Sequence, residues 1–472
     1  MGKTAVKNLK GLNVQNDTEL LSYIINQNPE LKAEIGLPVQ GESIKPMGKI
    51  ILDNQRYRNM FINTVNLIGL TLIKRNVWEN PWEVFANRGA LRRGQQVREL
   101  IQDLAKVFDY NKAYNDKTKF LQTRVPDVYN YIHELNFQKV YENTVNESLL
   151  QMAFDEEGNL YDFIVDCIST LYTSYNYDKF LVDKYQICRR ILDGTITPKQ
   201  ITDYATKTPR EILSEMKGVS NKMTFMSPNY NPAGVRRATK FDDQYLMIDC
   251  EREGINSTEI YATSYFKDEA QTKTNMALID SFSEHDEDRL SILLEEAYVP
   301  FTSDEKTQLQ TVIGLLFSID LFMDYYYALD NNENPEGKRQ TEFTNPVSLD
   351  RNIFLHAWNI ISTSPFAQAC VFTTEAPSVT SVTVSPSTAT VSKGQSVKLS
   401  ATVVTTGFAN KSVAWSSSVE GIKVDEFGNV QIPADATEET VTITATSIYD
   451  NTITGTATLT IAENVTPVTP GE

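Results

Sequence analysis

The stretch NLYDFIVDCISTLYTSY, residues 159–175, decides how most of this chain is read. Leu160, Phe163, Ile164, Cys167, Ile168, Leu171 and Tyr175 recur at three- and four-residue intervals, which lines one face of a helix. Asp155, Glu156 and Glu157 come just before, putting negative charge near the positive end of the helix dipole. The spacing predicts a long central helix beginning near Asn159.

On either side the pattern is mixed. Thr197-Pro198-Lys199-Gln200 and Thr208-Pro209-Arg210-Glu211 each set a hydroxyl before a proline and a Gln or Glu at the third helical position, so two helices are expected to start there. Tyr245–Asp249 and Leu315–Ile319 are short apolar runs that suit buried strands. Val97, Leu100, Ile101, Leu104, Val107 and Phe108 follow helical spacing. Helices and strands interleave without a repeating unit, which points to an α+β body.

After Thr374 the composition shifts to Val, Thr and Ser with apolar residues at every second position: Val382 and Val384, Val397 to Val403, Val441 to Ala445, Ala457 to Ile461. Period two over short runs means half-buried strands. Turn signals at Lys393-Gly394, Phe427-Gly428-Asn429 and Tyr449-Asp450-Asn451 separate them, as in a β-sandwich, with Trp415 as the expected core aromatic. Glu375-Ala376-Pro377 reads as a short linker, and residues 378–463 as an independently folded all-β domain.

The chain has 472 residues, 41% apolar and 22% charged, enough for two or three domains with ordinary globular usage. Lys and Arg number 44 against 61 Asp and Glu, a net charge of −17, which argues against tight gripping of nucleic acid. No apolar run reaches the roughly 18 residues of a membrane span, so no membrane partner is expected. The start, Met1 to Asn8, has no apolar segment behind its basic residues, so no secretion signal is expected. Cys167, Cys188, Cys250 and Cys370 lie far apart and are taken as reduced core thiols.

Catalytic chemistry finds no footing. His133, His285 and His356 are widely separated, without metal-ligand spacing. Asp330 to Asn334 imitates the front of a calcium loop, but Pro335 replaces the turn glycine and position 341 is Thr rather than Glu. Tyr325-Tyr326-Tyr327 could form a platform for bases, yet the acidic neighbours favour strand packing. No catalytic residue, metal or cofactor is assigned.

Several blocks resemble the major capsid proteins of phi29-like phages: Ile51 to Gln55, Phe61-Ile62-Asn63, Ile68 to Arg75, Asn80-Pro81, Arg88 to Gly94, Val125 to Val128, Thr144 to Leu149, Ala153-Phe154, Asn345-Pro346, Trp358 and Ser364 to Ala369. They keep the family's order through residues 45–374. Ser381 to Pro386, Val391 to Val397, Val413 to Ser416 and Val424 to Val430 resemble bacterial immunoglobulin-like group 2 domains, which that family also carries at its end.

The resemblance implies a Hong Kong 97-type capsid fold followed by an immunoglobulin-like sandwich. The N-terminal arm would occupy 1–48 and the capsid core 49–374, with an E-loop hairpin at about 83–145, a spine helix from about 159 and an axial domain from about 225. The immunoglobulin-like domain would occupy 378–463 and a flexible tail 464–472. Within the E-loop the family expects a strand where the 97–108 spacing suggests helix, and the fold assignment follows the family. Ser283 to Glu305 is longer than the family's usual connection and should hold an inserted helix or surface excursion.

The implied function is a phage head subunit that self-assembles into an icosahedral or prolate shell around double-stranded DNA, without binding it tightly, after assembly in the host cytoplasm. Portal and scaffolding proteins are expected partners, with host-surface glycans for the C-terminal domain. Arg88, Arg92 and Arg93, in a segment that also holds Gly89 and Gly94 within an acidic chain, are the candidate inter-subunit contacts. Lys106, Lys112, Lys117 and Lys119 on the hairpin are read as solvated, not as cross-linking groups. The alternatives are a bacterial surface adhesin and an encapsulin-like nanocompartment shell.

Overall fold

The computed structural model describes residues 17–38, 44–58, 60–61, 78–92, 94–107, 126–145, 159–250, 275–327, 338–344 and 351–462. Arg93, the tail at 464–472, the calcium-like stretch 330–334, the acidic residues 155–157 and parts of the expected arm and hairpin lie outside the described residues.

The chain opens with helices α1 (Asp17–Gln27), α2 (Pro29–Ile35) and α3 (Lys45–Asp53). Leu21, Ile24, Ile25 and Leu31 are fully buried, so this part of the expected arm is packed helix. A single turn, α4 (Glu83–Ala86), leads into β1 (Asn87–Leu91), and then come β2 (Val97–Gln102), β3 (Val128–His133) and β4 (Phe137–Val145). Residues 97–102 are strand, as the resemblance implies; their helical spacing misleads because both faces of the β2–β3 ladder carry apolar residues.

The central helix α5 runs from Asn159 to Leu192, 34 residues and about 51 Å long. It ends in a Schellman motif: Thr195 N–H donates to Arg190 O at 3.1 Å and Gly194 N–H to Ile191 O at 3.1 Å, with Gly194 at φ +67. Thr197–Gln200 is strand β5 rather than a helix start. Its backbone is claimed by a parallel ladder with residues 370–373, and that tertiary pairing overrides the capping signal. The matching signal at Thr208 does start a helix, α6 (Pro209–Met223), through a complete capping box with Glu211.

Next come β6 (Gln244–Asp249), β7 (Met276–Ile279), α7 (Glu287–Leu294), α8 (Ser303–Leu309), β8 (Val312–Ser318), β9 (Asp324–Tyr327), β10 (Lys338–Thr344), β11 (Arg351–Ile360) and β12 (Ala369–Thr373). The excursion at 283–305 thus holds α7 and the start of α8. Asp286 caps α7 and Thr302 with Glu305 boxes α8.

Two sheets flank the central helix. One has the order β5-β12-β8-β6-β7, so the position expected to open an axial domain, 225, falls between strands of one sheet. Leu315, Phe317 and Val371 on one face meet Ile187, Ile191 and Leu192 of α5, while Ile313, Leu316 and Phe372 on the other meet Met216 and Val219 of α6. With both faces covered, β8 is buried at every residue, which explains its uninterrupted apolar run. The other sheet, β1-β9-β11-β10 with β4 on β11, packs Ile353, Leu355 and Phe137 against Leu171 and Tyr175.

The C-terminal strands are β13 (Ser378–Ser385), β14 (Thr388–Ser392), β15 (Ser396–Lys398), β16 (Ser400–Thr406), β17 (Val413–Ser417), β18 (Lys423–Val424), β19 (Asn429–Gln431), β20 (Thr440–Ser447) and β21 (Thr454–Ala462). They form sheets β13-β16, β14-β21-β20-β17 and β15-β19-β18 around one apolar core. Its centre is Leu399, Val430, Ile443, Ala445 and Leu459, all fully buried. Trp415 is half-buried and packs at the margin, 3.0 Å from where a Cβ on Gly428 would stand, so it is not the centre of this core.

This module is seated on the body. Phe408 leaves the module's core and is buried in the cluster that includes Ile187, Ile191 and Leu192 of α5. Lys411 N–H donates to Asp193 O at 3.4 Å. A Cβ on Gly194 would meet Ala409 O at 2.4 Å, so the end of α5 needs glycine for its left-handed backbone and for this close approach. The segment after Thr374 therefore leads into a docked module.

Candidate assembly site

Among the described residues the strands β2 and β3 pair only with each other, from Val97↔His133 to Gln102↔Val128, and form a two-stranded ribbon. The expected hairpin at 83–145 is wider than this ribbon: Phe85, Ala86 and Phe137 are buried in the body, and β4 is a strand of the β11 sheet.

Alternation gives the ribbon two distinct faces. Glu99, Ile101, Tyr129 and His133 lie on the inward face. His133 is buried, with Nδ1 2.8 Å from Ser362 Oγ and Nε2 3.3 Å from Glu99 Oε2. The outward face carries Arg98, Leu100 and Gln102 opposite Ile132, Asn130 and Val128. Leu100 is 65% exposed, Val128 51% and Ile132 37%.

The root of the ribbon is held by specific bonds. Tyr327 Oη donates to Gln95 O at 2.6 Å. Asn136 pairs with the backbone of Ile361 in both directions, at 2.7 and 2.9 Å. Further out, Arg236 Nη1 lies 2.9 Å from Asp103 Oδ2.

Arg88 and Arg92, the two described arginines of the cluster, are placed differently. Arg88 sits where the parallel β1–β9 register shifts between Asn87 and Gly89, and it turns inward. Its guanidinium donates to Phe322 O at 2.9 Å and to Ile319 O, and lies 3.8 Å from Asp320 Oδ1. Within the subunit Arg88 is thus a structural residue, because the carbonyls of the 319–322 turn need a donor and Arg88 supplies it. Arg92 is exposed at the turn into β2.

The residues that sequence reasoning missed lie in the long helix, where Asp178, Lys179, Asp183 and Lys184 are all buried. Arg289 forks onto Asp178. Lys184 Nζ reaches both oxygens of Asp280 at 2.8 Å and Glu284 O at 2.6 Å. Lys179 bridges Glu83 at 2.9 Å and Asp324 at 3.3 Å. Four charges inside YDKFLVDKY were the available signal.

Of the cysteines, Cys188 and Cys370 are buried and their thiols are pushed up to about 12 by burial, whereas Cys250 is exposed and not a core thiol. His285 stacks on Phe301 at 4.3 Å and is driven down to about 4 by burial and by Lys184. Among the described residues no three His, Cys, Asp or Glu gather as metal ligands, and no helix is long and apolar enough to cross a membrane.

Residues 25–373 match the family described as Phi29-like phage major capsid protein, well over half of the chain. The chain belongs to that family. This capsid protein is 24% identical over 455 residues to the major capsid protein of Bacillus phage GA-1, covering 92% of this chain and 87% of that one. It is 27% identical over 419 residues to that of Bacillus phage B103, covering 86% and 84%. A solved capsid structure of Staphylococcus phage Andhra overlaps 64% of this chain and 85% of its own at 11% identity, with a TM-score of 0.47.

Membership of the phi29-like family makes the fold one of the Hong Kong 97-like capsid type. The protein is a shell component of the virion, a self-assembling structural protein and not an enzyme. Family membership decides for the capsid reading over the adhesin and nanocompartment alternatives.

Proposed function

We propose that this subunit closes into an icosahedral or prolate shell around double-stranded DNA, with the β2–β3 ribbon laid over a neighbouring subunit. The outward face of the ribbon carries the reading. A two-stranded hairpin is marginal alone in water, and Leu100, Val128 and Ile132 stand exposed on one whose edges pair with no further strand among the described residues. A neighbour that covers this face supplies the missing burial. Arg92 and Arg93 meet carboxylates of that neighbour and set its register, since a chain of net charge −17 offers acidic surface in abundance.

The same negative balance favours DNA sliding past the shell lining over adhesion. Portal and scaffolding proteins complete the assembly in the host cytoplasm. The C-terminal module is read as an immunoglobulin-like sandwich on the shell exterior, available to host-surface glycans. The GA-1 match supports its belonging to the capsid subunit, because that match covers 92% of the chain and so runs beyond residues 25–373.

The test replaces Leu100 and Ile132 together with Ser and compares particle yield by sedimentation with subunit melting. Yield should collapse while the melting temperature holds. Normal yield would remove the ribbon from the assembly contact.

A further inference from the structure

One of the buried charges in the long helix has no donor among the described residues. Asp183 is fully buried, and neither of its carboxylate oxygens receives a hydrogen bond among the described residues. Across from it stands Asp324, the first residue of β9, 1% exposed, whose two oxygens also lack a hydrogen-bonding donor. The two carboxyl groups are within hydrogen-bonding reach of each other.

The surrounding charges do not balance. Lys179, one turn before Asp183 on the same helix face, lies 3.3 Å from Asp324 Oδ2, short of hydrogen-bond geometry, and is shared with Glu83 of α4 at 2.9 Å. Glu83 is half exposed and keeps water, and it also accepts from Asn87 Nδ2 at 2.8 Å. Tyr175, a further turn back, stays neutral, and its hydroxyl accepts from Asn359 Nδ2 of β11. One ammonium therefore faces three carboxylates, two of them wholly desolvated. Two buried anions against a shared cation are costly, and proteins neutralise such groups instead.

We propose that Asp183 and Asp324 share one proton, and that this proton is a structural ligand joining the long helix to the strand at the root of the ribbon. It converts two orphan acceptors into a donor and an acceptor. The joint is well placed: Asp324 pairs in register with Asn87 of β1, the strand that leads into β2.

Burial is the main cause raising both groups. Asp183 lies well above the usual carboxylate range, with Asp324 adding repulsion, and Asp324 is raised to about 6, with Lys179 pulling it back. Both folded values exceed the unfolded ones, so the folded pair holds more protons. Its contribution to stability is complete below about pH 4 and is lost as pH climbs, first through the Asp324 step and then as the shared proton leaves.

The experiment follows the full-length subunit from pH 5 to pH 9 by denaturant unfolding and infrared spectroscopy. In the wild type, departure of the shared proton should raise the unfolding constant by up to about tenfold per pH unit. Asp183→Asn should remove that part of the slope and unfold less readily than wild type at pH 9. At about pH 7.5, where ordinary carboxyls are ionised, the wild-type subunit should retain the infrared band of a protonated carboxylic acid. Asp183→Asn should abolish it. A wild type without this band overturns the proposal whether or not the variant folds. So does an Asp183→Asn variant with an unchanged pH slope.

Discussion

The helix-centred body and the C-terminal module solve the same problem with different materials. The module's strands β20 and β21 alternate buried and exposed residues almost without fault, and among its described residues the buried polar ones are Thr405 and Ser447, both neutral. The body buries Asp178, Lys179, Asp183 and Lys184 in its longest helix. A β-layer can place each side chain by parity alone, so its core needs no charge. A helix enclosed on all sides has no polar face left, and any ionisable residue it carries must find a partner from another element.

The seam between the two regions is the sharpest place to break this contrast. Phe408→Ala should cost about 3–5 kcal/mol, and denaturant unfolding should show that loss in the body's transition as well as the module's. A loss confined to the module would make the docking incidental. Arg289→Met should cost about 3 kcal/mol or more, because it strands the buried carboxylate of Asp178; a stability close to wild type would mean that the Arg289–Asp178 pair is dispensable to the body.

Gly194→Ala should lower stability by at least about 1–2 kcal/mol for its left-handed backbone, with an added loss from collision at Ala409 O. Thermal melting decides it, and a neutral result would mean the α5 terminus and the module can part freely. Lys184→Met should stay within about 1 kcal/mol of wild type in the same assay, since Asp280, left behind, is 62% exposed and can be solvated. Smallest on the subunit is Arg92→Ala, within about 0.5 kcal/mol, yet particle yield by sedimentation should fall. Arg88→Ala should show the reverse order, destabilising the subunit first.

Much of the architecture was legible. The 159–175 periodicity marks a helix that starts at Asn159, Thr208 with Glu211 marks α6, and the alternation after Thr374 marks the module's strands. Thr197 to Gln200 carried the same capping chemistry as Thr208 and became a strand, because residues 370–373 offer its backbone a ladder that no local signal reveals. The candidate site was legible only in outline. Three clustered arginines suggested a shared surface, but a register shift of one residue turns Arg88 into the body and leaves Arg92 outside.

By itself the sequence determined what periodicity and capping encode: the long helix, the alternating strands, the α+β body with its all-β sequel, and the ordered blocks that resemble the phi29-like capsid family. These are properties of neighbours along the chain, where a side chain's face follows from its position. Only the tertiary structure decided which partner each charge meets, that Phe408 belongs to the other region's core, and that Asp183 faces Asp324 across 141 residues of sequence. Such pairings depend on how separately formed elements are brought together, and the cost of burying a charge without a partner makes them exacting once the fold has closed.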